Sequence, residues 1–292
     1  MKIARYLLKT MRPRQWTKNA FVFGALVFDG QFFLAQPFLR TFAGFWLFCL
    51  LSGVVYIIND LADLELDRRH PEKRLRPLPS GKLPVRAAQI AAIALPLLIF
   101  PAAALLDARF AAIAALYFAI NLAYSKWLKH IPILDVLLIA AGFVLRVGGG
   151  VVLIEVQRFS PWLYVVTTLF ALYIGFGKRR AELALISQSN GGTRKVLDGY
   201  TLPLLDQLIT IVSGATVIAY SLYTFSAPNL PANHTMMLTI PFVLYGIFRY
   251  LYVVQVEQQG GAPEEVLLND RPLQITVILW ALAVFLILYL IA

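Results

Sequence analysis

Long apolar runs alternate with short polar segments along almost the whole chain. About 18 or more largely apolar residues are typical of a helix that crosses a bilayer. The strict alternation of apolar and polar residues that marks a membrane β-barrel is absent from the sequence. The pattern predicts an all-α polytopic membrane protein with nine transmembrane helices. The predicted spans are Ala20–Ala35, Thr41–Ile58, Val85–Leu106, Phe110–Tyr124, Pro132–Ile154, Trp162–Phe176, Pro203–Phe225, Met236–Gln255 and Leu273–Ile291.

The composition agrees with a membrane protein. Of the 292 residues, 59% are hydrophobic and only 14% are charged, whereas soluble domains carry about 25% charged residues. The single cysteine, Cys49, lies inside an apolar run and has no partner for an internal disulfide. We predict one transmembrane domain over residues 1–292, whose basic N-terminus precedes a retained first helix and not a cleaved signal peptide.

The positive charges are strongly one-sided. With nine spans, 21 of the 26 Lys and Arg residues fall on one side, three on the other, and Arg146 and Arg249 lie within spans. Because cytoplasmic loops carry the excess of Lys and Arg, this predicts a cytoplasmic (inner) membrane location, a cytoplasmic N-terminus and a C-terminus on the opposite side. The net charge of +10 is then explained by this positive-inside bias, together with binding of anionic lipid or of a polyanionic substrate. It does not indicate a nucleic-acid partner.

The two longest polar connections, about 59–84 and 177–202, both fall on the predicted cytoplasmic side. Long loops on a rigid scaffold commonly carry function. We therefore predict that the active site faces the cytoplasm and is built from these two loops.

An acidic motif follows the second span directly: Asn59, Asp60, Asp63 and Asp67. If the helix continues, positions 59, 63 and 67 stack on one face and position 60 lies one step round. Carboxylates this close repel each other unless a cation lies among them. Mg²⁺ prefers carboxylate oxygens and commonly bridges to substrate phosphates. The four residues are the predicted metal ligands and the three aspartates the predicted catalytic residues; a solvated acidic helix end is the alternative.

Basic residues follow the acidic motif at once, among them Lys73, Arg74 and Arg76. A pyrophosphate bound through a metal to the acidic face needs such cations for its remaining negative charge. An ordinary positive-inside loop would explain the charge, but not its position directly after the acidic motif. The sequence therefore favours a pyrophosphate-bearing substrate.

These residues carry a resemblance to a known family. The spacing of Asn59, Asp60, Asp63 and Asp67, with the later Arg76-Pro77-Leu78 and Gly81, resembles the first aspartate-rich motif of the UbiA superfamily of intramembrane prenyltransferases. From about residue 12 to about residue 200 the chain further resembles the decaprenyl-phosphate phosphoribosyltransferase branch. The stretches that carry this narrower resemblance are Arg12–Asn19, Asp67–Pro77, Tyr124–His130, Gly142–Arg146 and Gly177–Leu183.

The resemblance implies a UbiA-type helix bundle around a central cavity open to lipid. It also implies Mg²⁺-assisted transfer of the 5-phosphoribosyl group from phosphoribosyl pyrophosphate to a polyprenyl (decaprenyl) phosphate, with release of pyrophosphate. The implied partners are those two substrates and membrane lipids, and a homo-oligomer is compatible with the family. Members that use prenyl diphosphates have a second Asp-x-x-x-Asp motif after span six, where this chain has the basic segment Gly177–Glu182. That difference suits a donor with an additional phosphate.

Further residues are candidates for substrate contacts. Lys18 and Asn19 lie where the first helix enters the membrane, at a height that suits a lipid phosphate. Arg146 inside the fifth span is costly at membrane depth and is expected either to pair with Asp135 or to meet a lipid phosphate. A structural ion pair or a snorkelling side chain is the alternative interpretation of Arg146. The complete expected substrate-binding set is Lys18, Asn19, Lys73, Arg74, Arg76, Tyr124, Lys129, Arg146, Lys178, Arg179 and Glu182.

Two other functions fit parts of the pattern. An enzyme that moves a prenyl group from a prenyl diphosphate to an aromatic acceptor shares the fold and the first motif, but the missing second acidic motif argues against it. A transporter or lipid-binding scaffold more often places ionisable residues at mid-membrane. Here they cluster at one face, which favours chemistry on a cytoplasmic substrate.

Overall fold

The computed structural model describes residues 2–156, 160–188, 195–228, 230–258 and 263–291. Within these ranges the chain is helical and contains no strand. The α-helices are α1 (Lys2–Thr10), α2 (Gly24–Phe28), α3 (Ala35–Ala62), α4 (Leu64–Arg69), α5 (Val85–Leu106), α6 (Ala108–Lys126), α7 (Leu134–Leu153), α8 (Trp162–Gln188), α9 (Leu202–Ser226), α10 (Ile240–Gln255), α11 (Pro263–Asn269) and α12 (Arg271–Leu286). Short 3₁₀ segments at Pro13–Phe23, Lys73–Leu75, Leu128–His130, Lys195–Gly199 and Thr235–Thr239, and a π-helical turn at Ile287–Ile291, complete the described secondary structure.

Seven helical segments in the described part of the chain are long and apolar enough to cross a membrane. They comprise α3, α5, α6, α7, α9, α10 with the turn before it, and α12 with the turn after it. Large apolar side chains on them remain exposed, such as Leu105 at 90% and Ile211 at 66%, as expected for helices that are covered by lipid. The chain is a multi-pass membrane protein. The predicted number of nine spans is not confirmed, because the first and sixth predicted spans are not among these seven.

The first predicted span, Ala20–Ala35, is wrong as a single helix. A 3₁₀ segment occupies Pro13–Phe23, and the short helix α2 ends at Phe28. Gly30 then adopts a left-handed backbone conformation with φ of 71°, which stops a helix at low cost because glycine has no Cβ. The apolar run continues through this turn, but the helix does not.

The second predicted loop, 177–202, is wrong at its start. Helix α8 continues through Gln188, because the sequence Lys-Arg-Arg-Ala-Glu-Leu-Ala-Leu is rich in strong helix formers. Lys178, Arg179 and Glu182 therefore lie on a helix. Residues 189–194 lie outside the described residues.

The chain forms two compact units. The first comprises Met1–Lys126 and Leu145–Val156, so it includes the C-terminal half of α7. Within it, α3 packs against the 3₁₀ segment Pro13–Phe23, α5 and α6. Its core is built from fully buried side chains. They include Val22, Phe48, Leu51, Val54, Ile57, Leu78, Leu83, Phe110 and Leu153.

A close backbone approach fixes the packing of this first unit. A Cβ atom added to Gly150 would collide with the carbonyl oxygen of Val22, a backbone atom that has no rotamer to relieve the clash. Gly150→Ala is therefore expected to lower the free energy of unfolding by about 2 kcal/mol, as overpacked core substitutions do. Thermal unfolding of the purified protein in detergent, followed by tryptophan fluorescence, measures this loss.

Gly24→Ala is the matched control for Gly150→Ala, because an added Cβ there meets no atom of the described residues within 4 Å. The control variant is expected to unfold at the wild-type temperature or slightly above it, since alanine favours a helix more than glycine does. Equal unfolding temperatures for the two variants would contradict the close approach at Gly150.

The second unit comprises Trp127–Val144 and Gln157–Ala292. Here α8 packs along α9, and α10 contacts α8, α9 and α12. Arg249 on α10 contacts Asp270 at 2.6 Å, and Asp270 caps α12 by accepting the Leu273 N–H. The hydrogen bond from Arg249 is the main cause of a pKa of Asp270 below its ordinary value, and burial opposes it. The single domain over residues 1–292 stays a prediction.

Candidate functional site

The acidic motif lies at the end of α3 and continues into α4. Asn59 and Asp60 occupy the last turn of α3, Asp63 stands at the junction, and Asp67 lies on α4. The helix does not continue unbroken through Asp63, where the backbone departs from helical values with φ of −94° and ψ of 9°. The Asp63 N–H still donates to the Asn59 carbonyl, and the Asp67 N–H to the Asp63 carbonyl. The four-residue spacing therefore survives the break.

Asp60 and Asp67 form the buried part of this motif. Their side chains are only 3% and 4% exposed. Arg76 joins them, because its Nη1 atom lies 2.8 Å from Asp67 Oδ2 and 3.5 Å from Asp60 Oδ1. Lys73 approaches Asp67 at 3.7 Å. The structure thus brings together two of the predicted basic residues with two predicted aspartates, while Arg74 is exposed on the turn Lys73–Leu75.

His70 organises the turn that carries these cations. It ends α4, and its Nδ1 atom accepts hydrogen bonds from the backbone N–H groups of Glu72 and Lys73 at 3.2 and 3.3 Å. This turn places Arg76 beside Asp60 and Asp67. His70 therefore acts on the shape of the loop.

Arg12 belongs to the same group of side chains, and sequence reasoning missed it. Its Nη2 atom lies 2.6 Å from Asp60 Oδ1, and its guanidinium lies over the ring of Tyr56, 4.5 Å from the ring centroid. In the sequence Arg12 is one of several basic N-terminal residues and is not singled out as a site residue. The sequence feature that could have pointed to Arg12 is its position before Pro13, at the start of the stretch Arg12–Asn19 that resembles the family.

The acidic residues fit a divalent cation in their chemistry. The Oδ1 atom of Asn59 is buried and has no hydrogen-bond partner among the residues that the structure describes, a costly state for an amide oxygen. This oxygen, with the nearby carboxylates, makes the all-oxygen donor set that Mg²⁺ prefers. Among the described residues, no three His, Cys, Asp or Glu side chains are yet close enough to hold a metal. The carboxylates of Asp60 and Asp67 are paired with Arg12, Lys73 and Arg76.

A second polar cluster in the first unit surrounds Arg146. The side chain is buried, its Nε atom donates to Asn19 Oδ1 at 2.7 Å, and Nη2 donates to the Tyr117 hydroxyl at 2.8 Å. Asn19 in turn lies 3.3 Å from both Cys49 Sγ and Ser52 Oγ. The structure brings together the predicted residues Asn19 and Arg146. Tyr117 was not predicted, since nothing in its apolar surroundings marks it.

The remaining predicted residues of the first unit lie close to these clusters in sequence. Lys18 precedes Asn19 and is partly buried. Tyr124 is partly buried near the C-terminal end of α6.

In the second unit, Arg179 is a buried member of an ion-pair network. Its side chain is 2% exposed and contacts Asp135 and Glu182, each at 2.7 Å. Asp135 is fully buried and also accepts the hydroxyl of Tyr200 at 2.6 Å. Burial, followed by the hydrogen bond to Asp135, raises the pKa of Tyr200 above its ordinary value. The sequence offers Asp135 as a partner for Arg146, but the structure pairs Asp135 with Arg179 and Tyr200.

Two further predicted residues of the second unit are partly buried. Lys178 precedes Arg179 on α8, and Lys129 lies on the turn Leu128–His130. Both therefore retain some accessible surface.

Helices of spanning length with exposed apolar side chains, and two buried aspartates paired with partly exposed arginines at the end of one of them, define a multi-pass membrane protein with a polar site. The sequence profile of the UbiA prenyltransferase family matches residues 20–180. The chain belongs to this family, which is a family of transferases.

Relatives match over nearly the whole chain. The decaprenyl-phosphate phosphoribosyltransferase of Corynebacterium glutamicum is 32% identical over 292 residues, covering 98% of this chain and 88% of the relative. A protein of the same name from Mycolicibacterium smegmatis is 34% identical over 285 residues, covering 94% and 89%.

Solved structures share the fold. The structure of a UbiA homologue from Archaeoglobus fulgidus, bound to GPP and Mg²⁺, superposes with a TM-score of 0.72 at 20% identity and covers 97% of this chain and 99% of that chain. The predicted UbiA-type helical fold is confirmed.

Proposed function

We propose that this protein transfers the 5-phosphoribosyl group from phosphoribosyl pyrophosphate to a polyprenyl phosphate, such as decaprenyl phosphate, and releases pyrophosphate. The observation that carries the proposal is the similarity, over nearly the full length, to two proteins named decaprenyl-phosphate phosphoribosyltransferase. The buried aspartates and their cations at the end of α3 support it, because they combine metal-ligating oxygens with groups that bind phosphate.

The chemistry asks for positioning and charge neutralisation. The acceptor is a phosphate monoester, which is already anionic at neutral pH and needs no general base. The bond between the anomeric carbon and pyrophosphate breaks, pyrophosphate leaves with the electron pair, and a lipid phosphate oxygen forms the new bond to that carbon. The difficult step is the departure of pyrophosphate, so groups that stabilise its growing charge lower the barrier most.

Asn59, Asp60, Asp63 and Asp67 would hold the divalent cation. When bound, Mg²⁺ supplies positive charge to the departing pyrophosphate. Arg76 and Lys73 already lie within 4 Å of the buried carboxylates, so they stand next to the place where that pyrophosphate would bind. Guanidinium groups suit this task, because their fork of N–H donors matches two phosphate oxygens. Arg74, exposed on the same turn, is a further candidate for these oxygens.

The other predicted residues have different proposed tasks. Arg146 is assigned to the lipid phosphate, with Asn19 fixing its orientation and Lys18 at the entrance. Lys178 is assigned to the 5-phosphate of the donor, and Tyr124 and Lys129 to further substrate contacts. The burial of Arg179 between Asp135 and Glu182 favours a supporting role, in which it holds Glu182 in place.

The one-sided charge distribution supports a cytoplasmic active site in the cytoplasmic membrane, since 21 of the 26 Lys and Arg residues fall on the predicted inner side. A water-soluble, highly charged donor would reach the site from that side. A homo-oligomer stays a prediction.

Prenyl transfer to an aromatic acceptor is the second candidate. The fold shared with a homologue solved with GPP and Mg²⁺ favours it. Against it, the region after the sixth predicted span carries Lys178, Arg179 and Arg180 in place of a second pair of aspartates. According to the family resemblance, the members that use prenyl diphosphates have two acidic metal-binding motifs.

A transfer assay tests the proposal. Purified protein in detergent is incubated with Mg²⁺, polyprenyl phosphate and phosphoribosyl pyrophosphate labelled in the ribose. Label is expected in the lipid fraction, and chelation of the divalent cation is expected to abolish it. The proposal fails if no label enters the lipid while a prenyl diphosphate and an aromatic acid give a product.

A further inference from the structure

We propose that Arg12 is a further diphosphate-binding residue, which occupies Asp60 in the substrate-free protein and is released to the diphosphate when a divalent cation binds. The proposal rests on the metal-diphosphate site of the proposed function. It adds that Arg12 makes the binding of the metal depend on the diphosphate.

The geometry places Arg12 in competition with a metal for one atom. Arg12 Nη2 lies 2.6 Å from Asp60 Oδ1, and Arg76 Nη1 approaches the same oxygen at 3.5 Å. A magnesium ion coordinates an oxygen at about 2.1 Å and repels a guanidinium that is held at the same oxygen. A metal ion that binds Oδ1 of Asp60 would therefore displace Arg12 from this oxygen.

The charge of this group of residues makes the exchange depend on the diphosphate. Two buried carboxylates, Asp60 and Asp67, are paired with three cations, Arg12, Lys73 and Arg76, and the third aspartate of the proposed metal site, Asp63, brings the sum of these six side-chain charges to zero. A free divalent cation would enter a region in which the carboxylate charge is already neutralised by these cations. A diphosphate brings several negative charges, which attract the displaced cations as well as the metal.

The backbone and surroundings of Arg12 suit such a residue. Its φ of 54° lies in the left-handed region, a conformation that costs a non-glycine residue on the order of 1 kcal/mol and is frequent at functional sites. The side chain is 33% exposed, so a ligand can reach it. The face of Tyr56 gives the guanidinium a second partner through a cation–π contact, which keeps Arg12 beside the site after it leaves Asp60.

Binding of Mn²⁺ tests the proposal without any turnover. The full chain in detergent is titrated with Mn²⁺, followed by electron paramagnetic resonance, with and without inorganic pyrophosphate. In the wild type, pyrophosphate is expected to tighten Mn²⁺ binding about fivefold or more, within the usual range for coupled sites. Arg12→Gln is expected to bind Mn²⁺ alone more tightly than the wild type, and to show a smaller effect of pyrophosphate.

Arg14→Gln is the matched control, because it removes the same charge from an exposed arginine two residues away. It is expected to behave as the wild type. The proposal is overturned if Arg12→Gln and Arg14→Gln give the same Mn²⁺ affinity. It is also overturned if pyrophosphate does not change Mn²⁺ binding in the wild type, a result that stands even if Arg12→Gln fails to fold.

The outcomes separate this inference from the proposed function. Cooperative binding of Mn²⁺ and pyrophosphate that is weakened in Arg12→Gln, without phosphoribosyl transfer, would support Arg12 and contradict the proposed reaction. Phosphoribosyl transfer by the wild type, with unchanged Mn²⁺ binding in Arg12→Gln, would support the proposed reaction and contradict the role of Arg12.

Discussion

Asp67→Asn is expected to reduce the rate of phosphoribosyl transfer by about 10³-fold. Asp67 is a proposed metal ligand and is buried, with Arg76 at 2.8 Å and Lys73 at 3.7 Å. Asparagine keeps the shape of the side chain and an oxygen for Arg76, but removes the negative charge that a divalent cation needs. The initial rate at which ribose label enters the lipid fraction measures the effect.

Glu65→Gln is the control for this variant. Glu65 lies on the same short helix, is 73% exposed, and contacts Arg68 one turn away. Removing this exposed carboxylate is expected to leave the transfer rate unchanged. Equal rates for Asp67→Asn and Glu65→Gln would remove Asp67 from the metal assignment.

The second large effect is expected on stability. Arg179→Ala should lower the free energy of unfolding by about 3–5 kcal/mol, because it leaves the carboxylate of Asp135 buried without its ionic partner. Asp135 is fully buried and lies 2.7 Å from Arg179. Thermal unfolding of the purified variant in detergent measures this loss.

Arg180→Ala provides the comparison, since the neighbouring arginine pairs at 2.6 Å with Asp206, whose side chain is 38% exposed. Solvent screens this pair, so the expected loss is about 1 kcal/mol or less. A wild-type unfolding temperature for Arg179→Ala, combined with a raised KM for phosphoribosyl pyrophosphate, would instead make Arg179 a direct phosphate ligand.

Most of the helical architecture was predictable because membrane helices have a strong local signal. The predicted span Val85–Leu106 coincides with α5, and Pro203–Phe225 differs from α9 by one residue at each end. A continuous apolar run of the right length leaves few alternatives in a bilayer. The first span failed because apolar composition alone does not distinguish a 3₁₀ segment with a glycine stop from one α-helix.

The end of α8 shows a different limit. The polar, charged sequence after the apolar span predicts a loop from residue 177, yet Lys178 and Glu182 lie within the helix. Charge marks where a helix leaves the lipid, whereas helix propensity decides where it ends. The two boundaries need not coincide.

The candidate site was predictable where its residues are close in sequence. Asn59, Asp60, Asp63 and Asp67 lie within nine positions, and Arg76 follows shortly afterwards. The contact between Arg12 and Asp60 joins residues 48 positions apart, and Arg146 reaches Asn19 over 127 positions. Such partners depend on how helices pack, and no spacing rule in a single sequence gives that.

The most direct test of the central claim follows each part of the donor separately. Phosphoribosyl pyrophosphate is prepared with one label in the ribose and a second in the pyrophosphate, then incubated with purified protein, Mg²⁺ and polyprenyl phosphate. The ribose label is expected to move to the lipid. Free labelled pyrophosphate is expected to appear in water in an amount equal to the ribose label in the lipid. Transfer of the pyrophosphate label to the lipid, or no lipid label where a prenyl diphosphate and an aromatic acid react, would contradict phosphoribosyl transfer.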